Sequence, residues 1–139
     1  MIEETGARQF LITGTARDVG QAAESLIEVY RGLSLGNEQI SALRLALDEA
    51  LSNAIRHGHH GDVTKEIRVD CFWDPAKVRL VVTDQGEGFN CRLVPDPTSR
   101  RNLLKECGRG LYIISAIMSD VSFNEKGNKI SMTLNRTTC

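Results

Sequence analysis

Residues 45–62 read LALDEALSNAIRHGHHGD, and the reading of this stretch decides the rest. Glu49, Asn53 and His57 recur every fourth residue, so on a helix they stack along one ridge. Leu43, Leu47, Ala50, Leu51 and Ala54 fall on a neighbouring face, an apolar stripe suited to packing against a sheet. A carboxylate and a carboxamide one turn apart at the edge of that stripe are more than a structural helix needs. Asn37 is the expected N-cap, the helix is expected to reach about Arg56, and the glycines in 57–64 end it.

Working outward, residues 9–14 read as a strand, and 17–31 as a helix buried through Val19, Ala22, Ala23, Leu26, Ile27 and Tyr30. Downstream, Ile67, Val69, Cys71 and Trp73 alternate with polar or solvent-facing positions, the period of a strand. Asp74-Pro75-Ala76-Lys77 is a turn, and the return strand 78–83 is so evenly apolar that it belongs in the middle of a sheet. Residues 90–107 contain Pro95 and Pro97 and no clean periodicity, as expected of a functional loop. Gly108-Arg109-Gly110 then opens a helix over 111–119, and 121–123 with 129–134 form a closing hairpin. The order β-α-α-β-β-loop-α-β-β, with short turns between neighbouring strands, predicts a mostly antiparallel sheet covered on one face by three helices. This is an α/β fold, a two-layer sandwich in one domain spanning 1–139, not a doubly wound sheet.

Composition narrows the function. The 139 residues are 41% hydrophobic and 25% charged with a net charge of −1, which gives no pull toward nucleic acid or an anionic membrane surface. No apolar run is long enough for a membrane span, and the acidic start MIEETGARQF does not read as a signal peptide. Cys71, Cys91, Cys107 and Cys139 form no CxxC pair, so reduced thiols in a cytoplasmic protein are expected.

Three motifs carry chemistry. Asp84-Gln85-Gly86-Glu87-Gly88 ends the central strand: the carboxylate can accept a hydrogen bond from an exocyclic amine such as adenine's, and the glycines let backbone approach a flat ligand. Gly108-Arg109-Gly110-Leu111 opens a helix whose free N–H groups can face an anion. Asn53 offers a hard oxygen to Mg²⁺, and Glu49 one turn away can orient or deprotonate a hydroxyl. Singly, each is also what a tight turn, a glycine hinge or a polar helix surface would show. Neither glycine pair has the third glycine of a dinucleotide fingerprint, and there is no P-loop. The His57, His59, His60 cluster reads as a solvated loop ahead of a metal site, and Arg100 and Arg101 as ordinary loop charges ahead of γ-phosphate ligands.

In their order along the chain, the three motifs resemble the ATP-binding fold of the GHKL superfamily, the Bergerat fold of gyrase, Hsp90, histidine kinases and MutL. Glu49-x-x-x-Asn53, Asp84-x-Gly86-x-Gly88 and Gly108-x-Gly110-Leu111 match its three boxes. Within it, DEALSNAIRHG and PDPTSRRNLLKECGRGLYII resemble the anti-sigma-factor serine kinases that act with STAS-domain anti-anti-sigma proteins. The resemblance implies ATP and Mg²⁺ as cofactors and a flexible ATP lid over about 89–108. It makes Glu49 the general base for a partner serine, Asn53 the Mg²⁺ ligand and Asp84 the adenine reader. Gly86 and Gly88 would shape the base pocket, Gly108, Arg109, Gly110 and Leu111 would face the phosphates, and Thr133 on the last strand is a further candidate near adenine. It also implies a STAS-domain partner, a sigma factor and a homodimer built on the first strand and helix. The alternative is a nucleotide-dependent binding module that sequesters its partner without phosphorylating it. A histidine-kinase catalytic domain is disfavoured, because no upstream helical pair with a phosphoacceptor histidine is read.

Overall fold

The structure, a computed structural model, describes residues 4–86 and 109–136. The expectations for the 89–108 loop, Gly88, Gly108, Arg100, Arg101 and three of the four cysteines lie outside the described residues.

The elements run β1 (Gly6–Thr13), α1 (Ala16–Gly32), α2 (Asn37–Asn53), a π-helical turn (Ala54–Gly58), β2 (Glu66–Trp73), β3 (Lys77–Thr83), α3 (Arg109–Ile117), β4 (Asp120–Phe123) and β5 (Lys129–Asn135). The five strands form one antiparallel sheet in the order β1-β2-β3-β5-β4. Ile67, Val69, Cys71, Val78, Leu80 and Met132 are fully buried in one core with Leu26, Leu43 and Ile114 of the helices, so α1, α2 and α3 cover the same face. β3 lies at the centre, as its apolar run requires. The opposite face carries Arg68, Asp70, Phe72 and Arg79, with the Arg79 guanidinium 4.9 Å over the Phe72 ring. Burial pushes the Cys71 thiol up to about 12, so it is inert at neutral pH.

Local chemistry sets the helix starts. The Thr15 hydroxyl accepts from the Asp18 N–H at 3.3 Å, and the Asp18 carboxylate accepts in turn from the N–H and hydroxyl of Thr13, each at 2.9 Å. Those bonds hold the Asp18 carboxyl below its ordinary value. For α2 the expectation of an Asn37 cap is corrected: Gly36 occupies the cap and Asn37 is already helical. Gln39 does the capping, accepting from the Gly36 N–H at 3.0 Å and donating to the Arg136 carbonyl at 2.8 Å.

The end of α2 is the second correction. The chain does not run as α-helix to Arg56; after Asn53 it widens into a π turn, closed by His59 N–H donating to the Ala54 carbonyl at 2.9 Å. The extra residue in that turn breaks the fourfold ridge. His57 is thereby turned out to solvent, while Gly58 and His59 are carried inward. The first strand also begins earlier than expected, at Gly6, where a side chain would overlap the Trp73 ring across the β1–β2 pair.

Candidate functional site

A narrow cleft opens where α2 and the first turn of α3 meet the ends of β3 and β5. Its apolar walls are Ala50, Ala54, Val82, Leu111, Phe123 and Ile130; its polar lining is Asn53, Asp84, Asn128 and Lys129. The two alanines come from the inner face of α2, where larger side chains would fill the space a flat ligand needs. An apolar slot with a few converging polar groups is the usual form of a small-molecule site.

Asp84 follows β3 and is 6% exposed. Its Oδ1 accepts the Gly86 N–H at 2.7 Å, which leaves Oδ2 with no hydrogen-bond partner among the described residues. Burial raises the pKa of this carboxyl, opposed by the Gly86 bond and by the charges of His59 and Lys126. While ionised, a carboxylate is an acceptor only, so the open Oδ2 can take a donor such as an exocyclic amine.

The Asp84 turn is clamped from both sides. Asp84 N–H donates to the Asn128 carbonyl and the Asn128 side-chain amide donates to the Asp84 carbonyl, both at 2.9 Å. Asn124 builds that support, its Oδ1 accepting the N–H groups of Gly127, Asn128 and Lys129. On the other side, His59 Nε2 accepts the Gln85 N–H at 2.9 Å. Gly58 sits between: a Cβ there would come within 2.6 Å of both Asp84 carboxylate oxygens, and one on Gly86 would fall on the Gly58 carbonyl. Only glycine lets the three backbones meet.

At the other end, α3 begins at Arg109 and lays Gly110 on α2. A Cβ on Gly110 would stand 2.7 Å from Glu49 Oε2 and 3.3 Å from the Asn53 side-chain nitrogen. Glu49 is half-buried, whereas Asn53 is 3% exposed and its side-chain nitrogen is buried without a partner. An orphaned buried amide costs about 1–3 kcal/mol, a cost that a bound ligand oxygen would remove.

The structure thus brings together Glu49, Asn53, Asp84, Gly86, Gly110 and Leu111. It does not bring Thr133 there. Thr133 pairs with Arg79 in the β3–β5 register, four residues along β5 from the Thr83–Lys129 pair beside Asp84. It shares the open face of the sheet with Ser131, while Ile130 and Met132 face the helices, so the expectation for Thr133 is corrected. Sequence reading missed Gly58, His59, Asn124 and Asn128. Gly58 and His59 passed for solvated loop because the π turn has no periodicity of its own, and Asn124 and Asn128 passed for an ordinary hairpin turn.

The residues fit a Mg²⁺ ion that takes most of its ligands from elsewhere. Among the described residues no three His, Cys, Asp or Glu side chains cluster as an all-protein metal cage. Asn53 could offer its carboxamide oxygen as the one hard protein ligand such an ion needs when phosphates and water complete its shell, while its unpartnered side-chain nitrogen is a donor suited to a phosphate oxygen.

Comparison with known proteins agrees with this geometry. The family profile of the histidine kinase-like ATPase domain matches residues 12–134. The chain is 28% identical over 114 residues to the serine-protein kinase RsbW of Oceanobacillus iheyensis, covering 78% of this chain and 72% of that protein. It is 32% identical over 108 residues to the RsbW of Bacillus licheniformis, covering 71% and 68% respectively. The fold superposes with a TM-score of 0.63 and 20% identity on the crystal structure of the RsbU and RsbW domains of Rv1364c from Mycobacterium tuberculosis, over 95% of this chain and 32% of that longer one. Cleft, three boxes and profile together make the chain a member of the histidine kinase-like ATPase domain family, of the GHKL type and akin to the RsbW kinases.

Proposed function

We propose that this chain is an ATP-dependent serine protein kinase of the anti-sigma type, which phosphorylates a STAS-domain anti-anti-sigma partner and binds a sigma factor in the cytoplasm. The observation that carries the reading is the placement of Glu49 Oε2 beside the buried Asn53 carboxamide under Gly110. A pure nucleotide-binding module would need Asn53 there and would have no use for Glu49. The serine-protein kinase names of the relatives support the same reading. Mg²⁺, a lid over 89–108, Gly108 and Arg109 facing the phosphates, Gly88 in the base pocket, and a homodimer through β1 and α1 belong to the proposal.

In this mechanism Asp84 Oδ2 accepts the adenine amine, and Ala50, Ala54, Val82 and Ile130 exclude water from the base. Asn53 reaches the phosphate end of the cleft, and Gly110 lets the first turn of α3 come close to it. Mg²⁺, when bound, would draw charge from the phosphates, with Asn53 as its protein ligand. Glu49 takes the proton of the incoming serine hydroxyl as that oxygen bonds to the γ-phosphorus and the bond from the γ-phosphorus to the β–γ bridging oxygen breaks, with ADP as the leaving group. Phosphoryl transfer otherwise asks mainly for positioning and charge neutralisation.

Glu49→Gln removes the base and little else. It is expected to bind ATP·Mg²⁺ within about threefold of wild type while phosphotransfer to a STAS partner falls by about 10²–10⁴-fold. Undiminished transfer of labelled phosphate by Glu49→Gln would sink the assignment. Wild-type protein that binds ATP yet phosphorylates no STAS serine would make the chain a sequestering module.

A further inference from the structure

His59 lies outside the family boxes and outside the cleft wall, yet it is 2% exposed and joined to the nucleotide site. Its Nε2 accepts the Gln85 N–H, so that nitrogen carries no proton while the bond exists, and the neutral ring's proton is on Nδ1. Nδ1 is buried with no hydrogen-bond partner. A side chain present only to fill space would be apolar at such a position, because an unpaired buried polar atom is a cost without return. The ring is thus buried for the sake of its one bond to Gln85.

That bond lands where it matters. Gln85 stands between Asp84, whose Oδ2 is open to ligand, and Gly86, whose N–H fixes Oδ1. On the far side Asn128 already holds the Asp84 backbone. His59 is the only side chain among the described residues that holds the Gln85 N–H, and it arrives there because the π turn adds a residue between Asn53 and the loop.

We propose that His59 is a positioning residue for the Asp84-Gln85-Gly86 turn, and that its unprotonated Nε2 makes nucleotide affinity sensitive to acid. A proton on Nε2 would set two donors against each other and release the turn from the side of α2. The charges around the ring are the Asp84 carboxylate at the end of β3 and the Asp62 carboxylate in the loop after the π turn. Lys126 of the β4–β5 turn faces Asp84, and Lys65 faces Asp62. Imidazole is the side chain that ordinarily changes charge between about pH 5 and 8. The nucleotide half of this inference rests on the function proposed above; the turn itself does not.

The test follows the backbone amide signals of Gln85 and Gly86 by NMR in the nucleotide-free full chain from pH 8 to 5, beside ADP and ATP affinity by calorimetry. Three proteins are compared: wild type, His59→Gln, whose side-chain oxygen can reach the Nε2 position without titrating, and His59→Leu. In wild type the Gln85 amide should follow the His59 ring titration, and in His59→Gln it should not. Affinity should fall about tenfold more between pH 7.5 and 5.5 in wild type than in His59→Gln, the size of one lost hydrogen bond. Asp84 titrates in both, so the difference isolates His59. His59→Leu should bind about tenfold more weakly than wild type at pH 7.5 while keeping its circular dichroism spectrum; if it does not fold, His59→Gln decides alone. A Gln85 amide indifferent to His59 titration, or an equal acid loss in wild type and His59→Gln, overturns the proposal. Wild-type protein that fails to bind nucleotide at pH 7.5 overturns the nucleotide reading and with it the affinity claim, while the amide titration still judges the turn.

Discussion

Asp84 shows what a single side chain gives up to make a site. It is buried, its carboxyl is pushed up by that burial, and one of its two oxygens is committed to Gly86. A folded-state pKa raised above the ordinary 3.8 means the folded chain holds the proton more tightly than the unfolded one. The associated stability is therefore present in acid and is lost as pH rises through the folded value. At neutral pH the ionised carboxylate opposes folding. Asp84→Asn keeps an oxygen for the Gly86 N–H and removes the charge, so the nucleotide-free variant should melt above wild type at pH 7. The two melting temperatures should converge near pH 3.8, where wild type is itself becoming neutral. A gain that is the same at every pH would rule out the charge as its cause. The same change turns the acceptor facing the base into a donor, and loss of a hydrogen bond to a charged group costs about 1.5–3 kcal/mol, so affinity for ATP should drop roughly tenfold to a hundredfold. Calorimetric titration of ATP into the variant measures it.

Among the elements, α2 and the turn that ends it explain both what the sequence told and what it hid. Glu49 and Asn53 were readable because α-helix maps spacing onto direction, and the structure keeps them side by side against Gly110. Beyond Asn53 that mapping fails: the π turn rotates the next residues, turning His57 outward and Gly58 and His59 inward. The strand pattern was legible through β3 for the same reason of period, but no local signal says which strand end Thr133 occupies; only the β3–β5 register does. The two close glycines of this region should fail differently. An alanine methyl at Gly110 meets the tip of Glu49, which can swing aside. Gly110→Ala should fold with a melting temperature near wild type and lose phosphotransfer. A methyl at Gly58 meets the buried Asp84 carboxylate inside 2.6 Å, and Gly86 leaves that turn no room to yield. Gly58→Ala should lose about 1–3 kcal/mol, the usual cost of overpacking, and nucleotide binding with it. Thermal melts of both variants with and without ATP·Mg²⁺ would reverse this ranking if the contacts were otherwise.

At the scale of the molecule, the cleft joins parts distant in sequence: α2, the end of β3, the start of α3 and the β4–β5 turn. Its ligand therefore ties together the helix layer and the sheet, and occupancy should report on global stability. A ligand that binds only the folded state at a hundred times its Kd adds about 2.7 kcal/mol. For a domain near this size that is a rise of roughly 8–11 °C in Tm, at about 3–4 °C per kcal/mol. ATP with Mg²⁺ should produce that rise in wild type and in Glu49→Gln, because the role proposed for Glu49 is toward the incoming serine. Chelating Mg²⁺ with EDTA should cut the rise in both. Asn53→Ala removes the buried carboxamide whose nitrogen has no protein partner, so the nucleotide-free variant should lose less stability than a buried polar deletion usually costs. Its rise with ATP should be small and indifferent to EDTA, because the metal has lost its protein ligand. If Asn53→Ala instead kept a full, EDTA-sensitive rise, the metal would have to be held elsewhere on the chain, and the phosphate end of the cleft would need to be reassigned.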